Sequence, residues 1–166
     1  MDNKLLLRQE AQVNKLATSE VLKSNKLTAP YGLILSPLDA EELVKSRADV
    51  LRKNGRIEFA GGVITKLIEN FCDSPYLDQS NYAATLTALI ETFYYFKNET
   101  LDQISDDDLL KLMKKYFDGS CHGSIELLQN RELSAFARSI RYGRNYDPDT
   151  SENPAEYREE EIPSDE

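Results

Sequence analysis

Apolar and polar positions follow the helical period through most of the chain. Residues 3–23 are rich in strong helix formers, and Leu6, Val13, Leu16 and Ala17 fall on one face, with Thr18-Ser19 as a point where the helix can divide. Ser36-Pro37 opens the best-punctuated helix. Ser36 is a cap, Pro37 suits the first helical position, and Asp39, Glu41 and Glu42 lie where the helix dipole favours anions. Its inward stripe is Ala40, Leu43, Val44, Arg47, Val50 and Leu51, and Gly55 supplies a left-handed stop after Arg52 and Lys53. The flanking pieces 33–35 and 57–59 read as extended, and the pattern allows them to pair as a short two-stranded β element.

Four more helices follow. Gly61-Gly62 opens one whose Val63, Ile64, Leu67, Ile68 and Phe71 share a face, and the turn Asp73-Ser74-Pro75-Tyr76 ends it. The next spans 79–97, with Tyr82, Leu86, Leu89, Ile90, Phe93 and Phe96 inward. Ser105 and Asp108 form a capping pair for a helix over 106–117, which carries Leu109, Leu112, Met113 and Tyr116 and stops at Gly119. Ser124 caps the last, with Ile125, Leu128, Leu133, Phe136 and Ile140 inward and Gly143 as its stop. The fold class is mainly α: a compact bundle of about six helices, with the β pair as an optional addition.

Charge separates the chain into a body and a tail. The 166 residues carry a net −9. Residues 1–60 hold 10 basic and 8 acidic groups, 61–142 hold 8 and 12, and 143–166 hold 2 and 9. The pattern predicts one helical domain over 1–142 and a disordered acidic tail over 143–166, where apolar surface is too sparse to offset ordering entropy. A nearly neutral body lacks the cation excess that nucleic-acid binding needs. No apolar run approaches the ~20 residues of a membrane span, and Leu5-Leu6-Leu7 is too short for a signal-peptide core. The expected setting is the cytoplasm, with Cys72 and Cys121 reduced.

Three places gather chemistry. The turn Asp118-Gly119-Ser120-Cys121-His122-Gly123-Ser124 holds the only histidine and one of two thiols ahead of a helix N-terminus, which makes Cys121 and His122 catalytic candidates. Adjacent residues rarely place an imidazole on a thiol, so a polar turn with a buried cysteine is the simpler reading. Cys72, Cys121 and His122 with Asp73 or Asp118 lack the ligand spacing of a zinc site, and Asp106-Asp107-Asp108 lacks the glycine and glutamate of a calcium loop. No metal or cofactor is expected.

The second place is Gly55 to Gly62. Arg47, Arg56, Glu58, Gly61 and Gly62 are candidate ligand-binding residues, because backbone N–H groups at a helix start hold anions. The spacing matches neither a P-loop nor a dinucleotide fingerprint, and an Arg47–Glu58 ion pair competes with the pocket reading. The third is Phe93-Tyr94-Tyr95-Phe96. Four aromatics advancing by about 100° per residue cannot all face a core, so Tyr94 and Tyr95 are candidates for an interaction surface. Arg131, Arg138, Arg141 and Arg144 form a basic edge that the dipole of the last helix explains.

The segments Gly-Arg-Ile-Glu-Phe-Ala-Gly-Gly (55–62), Phe-Cys-Asp-Ser-Pro-Tyr-Leu (71–77), Phe-Tyr-Tyr-Phe-Lys-Asn-Glu (93–99) and Tyr-Phe-Asp-Gly (116–119) resemble an uncharacterised family of small proteins, mostly from anaerobic Gram-positive bacteria. The likeness covers residues 28–142. It implies a bacterial cytosolic protein and assigns no catalytic residue. Together these features favour a non-enzymatic module that binds another protein. The alternative is a small enzyme or ligand-binding protein using the Arg47/Arg56/Glu58 region or the Cys121-His122 turn.

Overall fold

A computed structural model describes residues 3–58 and 61–142, apart from the side chains of Asn3, Leu6, Leu7 and Glu10. Helices dominate, and no strand occurs among the described residues. The elements are α1 (Asn3–Lys23), α2 (Asn25–Thr28), a 3-10 turn (Ala29–Tyr31), α3 (Pro37–Lys53), α4 (Gly62–Phe71), α5 (Tyr82–Glu99), α6 (Asp106–Asp118) and α7 (Ile125–Leu127). A π segment (Leu128–Glu132) and α8 (Leu133–Arg141) complete them. They form two compact units, Met1–Tyr94 and Tyr95–Glu166. The tail expected over 143–166, with Arg144, lies outside the described residues.

In the first unit the caps work as the sequence predicts. The Ser36 side chain accepts from Asp39 N at 3.0 Å, and Gly55 adopts φ +63 after α3. Ala40, Leu43, Val44, Arg47 and Leu51 of α3 are buried, as are all five predicted positions of α4. Tyr82, Leu86, Leu89, Ile90 and Phe93 of α5 join them. Burial pushes the Tyr82 phenol up to about 12, so it stays neutral in the core. At the entry to α5, Asp78 and Asn81 exchange side chain-to-backbone bonds. The Ser80 hydroxyl and the Asn81 N–H hold the Asp78 carboxyl below its ordinary range.

The stripe expected for α1 is corrected. Ala17 and Val21 are buried, but Val13 and Leu16 are 42% and 63% exposed, and the Leu6 side chain lies outside the description. Nor does the helix divide at Thr18-Ser19. The Thr18 hydroxyl donates to Asn14 O at 2.8 Å, so the residue satisfies itself within the helix.

The β pair does not form among the described residues, and the reason is visible at Leu33-Ile34-Leu35. The Asn25 amide bonds both the N–H and the C=O of Leu35, each at 2.9 Å. The Gln79 amide does the same for Ile34, at 2.7 and 2.8 Å. Thr28 completes the set: its carbonyl accepts from Leu33 N and its hydroxyl donates to Leu33 O. Successive residues of an extended chain turn their polar groups to opposite edges, and here side chains occupy both edges. Every ladder bond a second strand would supply is already made. Phe59, in the expected partner piece, lies outside the described residues.

In the second unit, the end of α5 leads into two successive left-handed residues, Leu101 (φ 56) and Asp102 (φ 57). The buried Lys97 ammonium holds this turn by donating to Ile104 O at 2.6 Å and pairing with Asp106 at 2.9 Å. Ser105 then caps α6 by accepting from Asp108 N. Leu109, Leu112, Met113 and Tyr116 are buried as predicted, with Leu110 and Phe117 beside them.

The final helix departs from expectation by carrying the π segment. Leu128 and Leu133 are both buried, yet five residues of regular helix would set them about 140° apart. The wider π turn brings them together, and the Ser134 hydroxyl accepts the new spacing by donating to Gln129 O at 2.7 Å. Ile125 and Ile140 are only partly covered.

Asn25→Ala should lower the unfolding free energy by about 1–3 kcal/mol, because it strips both polar groups of a buried residue. Gln79→Ala should cost less, since water reaches Ile34. Urea denaturation of the two variants checks the order.

Candidate functional site

The first unit brings most of the predicted anion-pocket residues together around Arg47. Its side chain is only 4% exposed, and NH1 donates to Gly61 O at 2.8 Å while lying 3.6 Å from Glu58 Oε1. That same Glu58 oxygen accepts from Val63 N at 3.1 Å, in the first turn of α4. The other Glu58 oxygen accepts from the Tyr94 hydroxyl. Gly62 sits at φ +50, and a Cβ there would collide with both the Glu58 carboxylate and the Arg47 guanidinium. Conformation favours glycine at that position, and a side chain there would also have to displace the ends of Glu58 and Arg47.

The helix-start amide that could have held a foreign anion is therefore bonded by Glu58 from within the chain. Arg56 lies just after the stop of α3, two residues ahead of Glu58. Its backbone N–H closes the α3 stop by donating to Leu51 O at 2.9 Å, and its side chain is half-buried. Tyr94, which the sequence offered as a surface residue, is 1% exposed and serves this network. Only Tyr95 of the pair reaches solvent, at 57% exposure.

In the second unit Cys121 and His122 are adjacent but unlike. Cys121 is 1% exposed, whereas His122 is exposed and holds a left-handed φ of 49. Burial pushes the Cys121 thiol up, and the nearby Glu132 carboxylate adds to that shift; Arg131 opposes it. Arg131 bonds Glu132 at 2.5 Å and Ser120 O at 2.9 Å, which ties the π segment to the turn. A nucleophile needs the opposite environment, an exposed thiol with depressed pKa. Cys72 is likewise buried, and no cluster among the described residues could hold a metal ion.

Sequence reasoning missed a further set. Leu27, Tyr31, Ile34 and Leu38 are 47%, 53%, 43% and 63% exposed, all within residues 27–38. The signal was present in the apolar side chains of that stretch, but periodicity is silent in irregular backbone. Beside Leu38, a groove of about 620 Å³ runs between α1 and α3, lined also by Ala11, Asn14, Lys15, Thr18, Glu41, Glu42 and Lys45.

Fold and site thus define a protein that is helical throughout its described elements, in which several buried polar side chains bond the chain's own backbone and apolar side chains are held at the surface. The chain belongs to the family of unknown function DUF6323, which matches residues 20–146. No curated protein and no solved structure matches it.

The Cys121 thiol should react with iodoacetamide in the native protein far more slowly than free cysteine at pH 8, and its rate should rise only above the free-thiol pKa of about 8.5. Rapid alkylation of Cys121 at pH 7, read by peptide mass, would restore the thiol site.

Proposed function

We propose that this protein is a non-enzymatic interaction module that binds another protein through residues 27–38. The observation that carries the reading is a rigid backbone presenting apolar side chains to solvent. Leu33 and Leu35 anchor the stretch in the core at 1% and 2% exposure, while Thr28, Asn25 and Gln79 fix its polar groups. Leu27, Tyr31, Ile34 and Leu38 then project from a surface that loses little entropy on binding. Exposed apolar groups that form a contiguous patch mark such contacts more often than they mark catalysis, and these four lie within one short stretch of chain. Tyr95 provides a second, separate exposed aromatic in the other unit.

For its cellular setting we propose the cytoplasm of an anaerobic Gram-positive bacterium. No helix among the described residues is long and apolar enough to cross a membrane.

A photo-crosslinking residue at Tyr31 should capture a defined partner in native lysate, while the same group at Lys111 should not. Leu38→Asp with Ile34→Ser should abolish capture with the melting temperature within a few degrees of wild type. Equal capture at Tyr31 and Lys111 would sink the reading.

A further inference from the structure

The outward face of α1 differs from that of other exposed helices in this chain. α6 turns Asp107, Asp108, Lys111 and Lys115 to solvent, an ordinary charged surface. α1 instead exposes Leu5, Gln9, Gln12 and Leu16, at spacings of four, three and four. Those spacings place the four on one line about 16 Å long, with no charge in it. They are the spacings of a coiled-coil seam, with Leu5 and Gln12 in one core position and Gln9 and Leu16 in the other. The leucines are 54% and 63% exposed, on the side away from buried Ala17 and Val21.

We propose that α1 is a self-association element: two copies of the chain pair along this stripe, with their α1 helices parallel and in register. Charge selects both the occupant and the direction. In the parallel register Lys15 faces Glu20 of the second copy, and Glu20 faces the second Lys15, giving two opposite-charge contacts beside the exposed Glu20–Lys23 pair that each copy makes at 3.2 Å. The antiparallel alternative would set Arg8 against Lys15 of the second copy, a like-charge contact on each side. Parallel pairing also sets each glutamine against its own copy, and a primary amide both donates and accepts. Uncharged polar groups in a seam fix register at some cost in strength.

The stripe begins ahead of residue 20, where the family match starts, so it is carried beside the family's common region. It is independent of residues 27–38 and stands whether or not that surface binds a partner. One short seam buries less area than a permanent dimer needs, so half-association is expected on the order of 100 µM.

Sedimentation of the full chain from about 10 µM to 1 mM should show a monomer–dimer equilibrium, with Leu16→Glu monomeric throughout and unchanged in circular dichroism. Gln12→Cys should form a disulfide-linked dimer in a glutathione buffer, at least tenfold faster than Lys111→Cys on the charged face of α6. A monomer at every concentration, with Gln12→Cys no faster than that control, would overturn the proposal. Faster linkage of a Leu5→Cys and Leu16→Cys mixture than of Gln12→Cys would overturn the parallel register.

Discussion

A guanidinium cannot shed its charge inside a protein, so burying Arg47 obliges the surrounding chain to deliver oxygen atoms to it. Several described residues between the stop of α3 and the start of α4 answer that demand. Gly55 turns the chain back, Glu58 brings its carboxylate to Arg47, and Gly61 offers its carbonyl. Gly62 leaves room for both charged groups, and Tyr94 supplies the last donor to Glu58. The same carboxylate caps α4, so the ion pair also sets where that helix begins. Removing one partner would leave the other charge buried, and such losses cost about 3–5 kcal/mol.

A common habit runs through both units. Polar side chains reach back to backbone groups that secondary structure leaves open. Asn25 and Gln79 do so at residues 34–35, and Lys97 does so at the turn before α6. Arg131 does so at Ser120. This explains how irregular segments hold fixed shapes without strands, and why Leu27, Tyr31, Ile34 and Leu38 can be displayed on one of them.

Legibility in the sequence followed the range of the signal. Local chemistry was readable: the Ser36, Ser105 and Ser124 caps all form, and the inward stripes of α4, α5 and α6 are buried as their period predicts. The Arg47–Glu58 pair was also within reach, because alternation and a helix stripe point the two toward each other. What escaped depends on partners far along the chain. Gln79 lies 45 residues from Ile34, and nothing in either neighbourhood announces that an amide replaces a strand. Tyr94 and Tyr95 differ only in which one meets Glu58, 36 residues away. The π segment needed knowledge that both Leu128 and Leu133 face inward. The outward Val13 and Leu16 of α1 were assigned to a core face because period alone does not say which side of a helix the body lies on.

If Arg47 and Glu58 organise the first unit as argued, their effects on stability must depend on one another. A double-mutant cycle with Arg47→Met and Glu58→Gln, read by urea denaturation, tests this most directly. The account predicts that each single change is costly and that the double change costs less than their sum, with a coupling of about 1–3 kcal/mol. Additive losses, or single changes costing under about 0.5 kcal/mol, the range of ordinary surface substitutions, would contradict it.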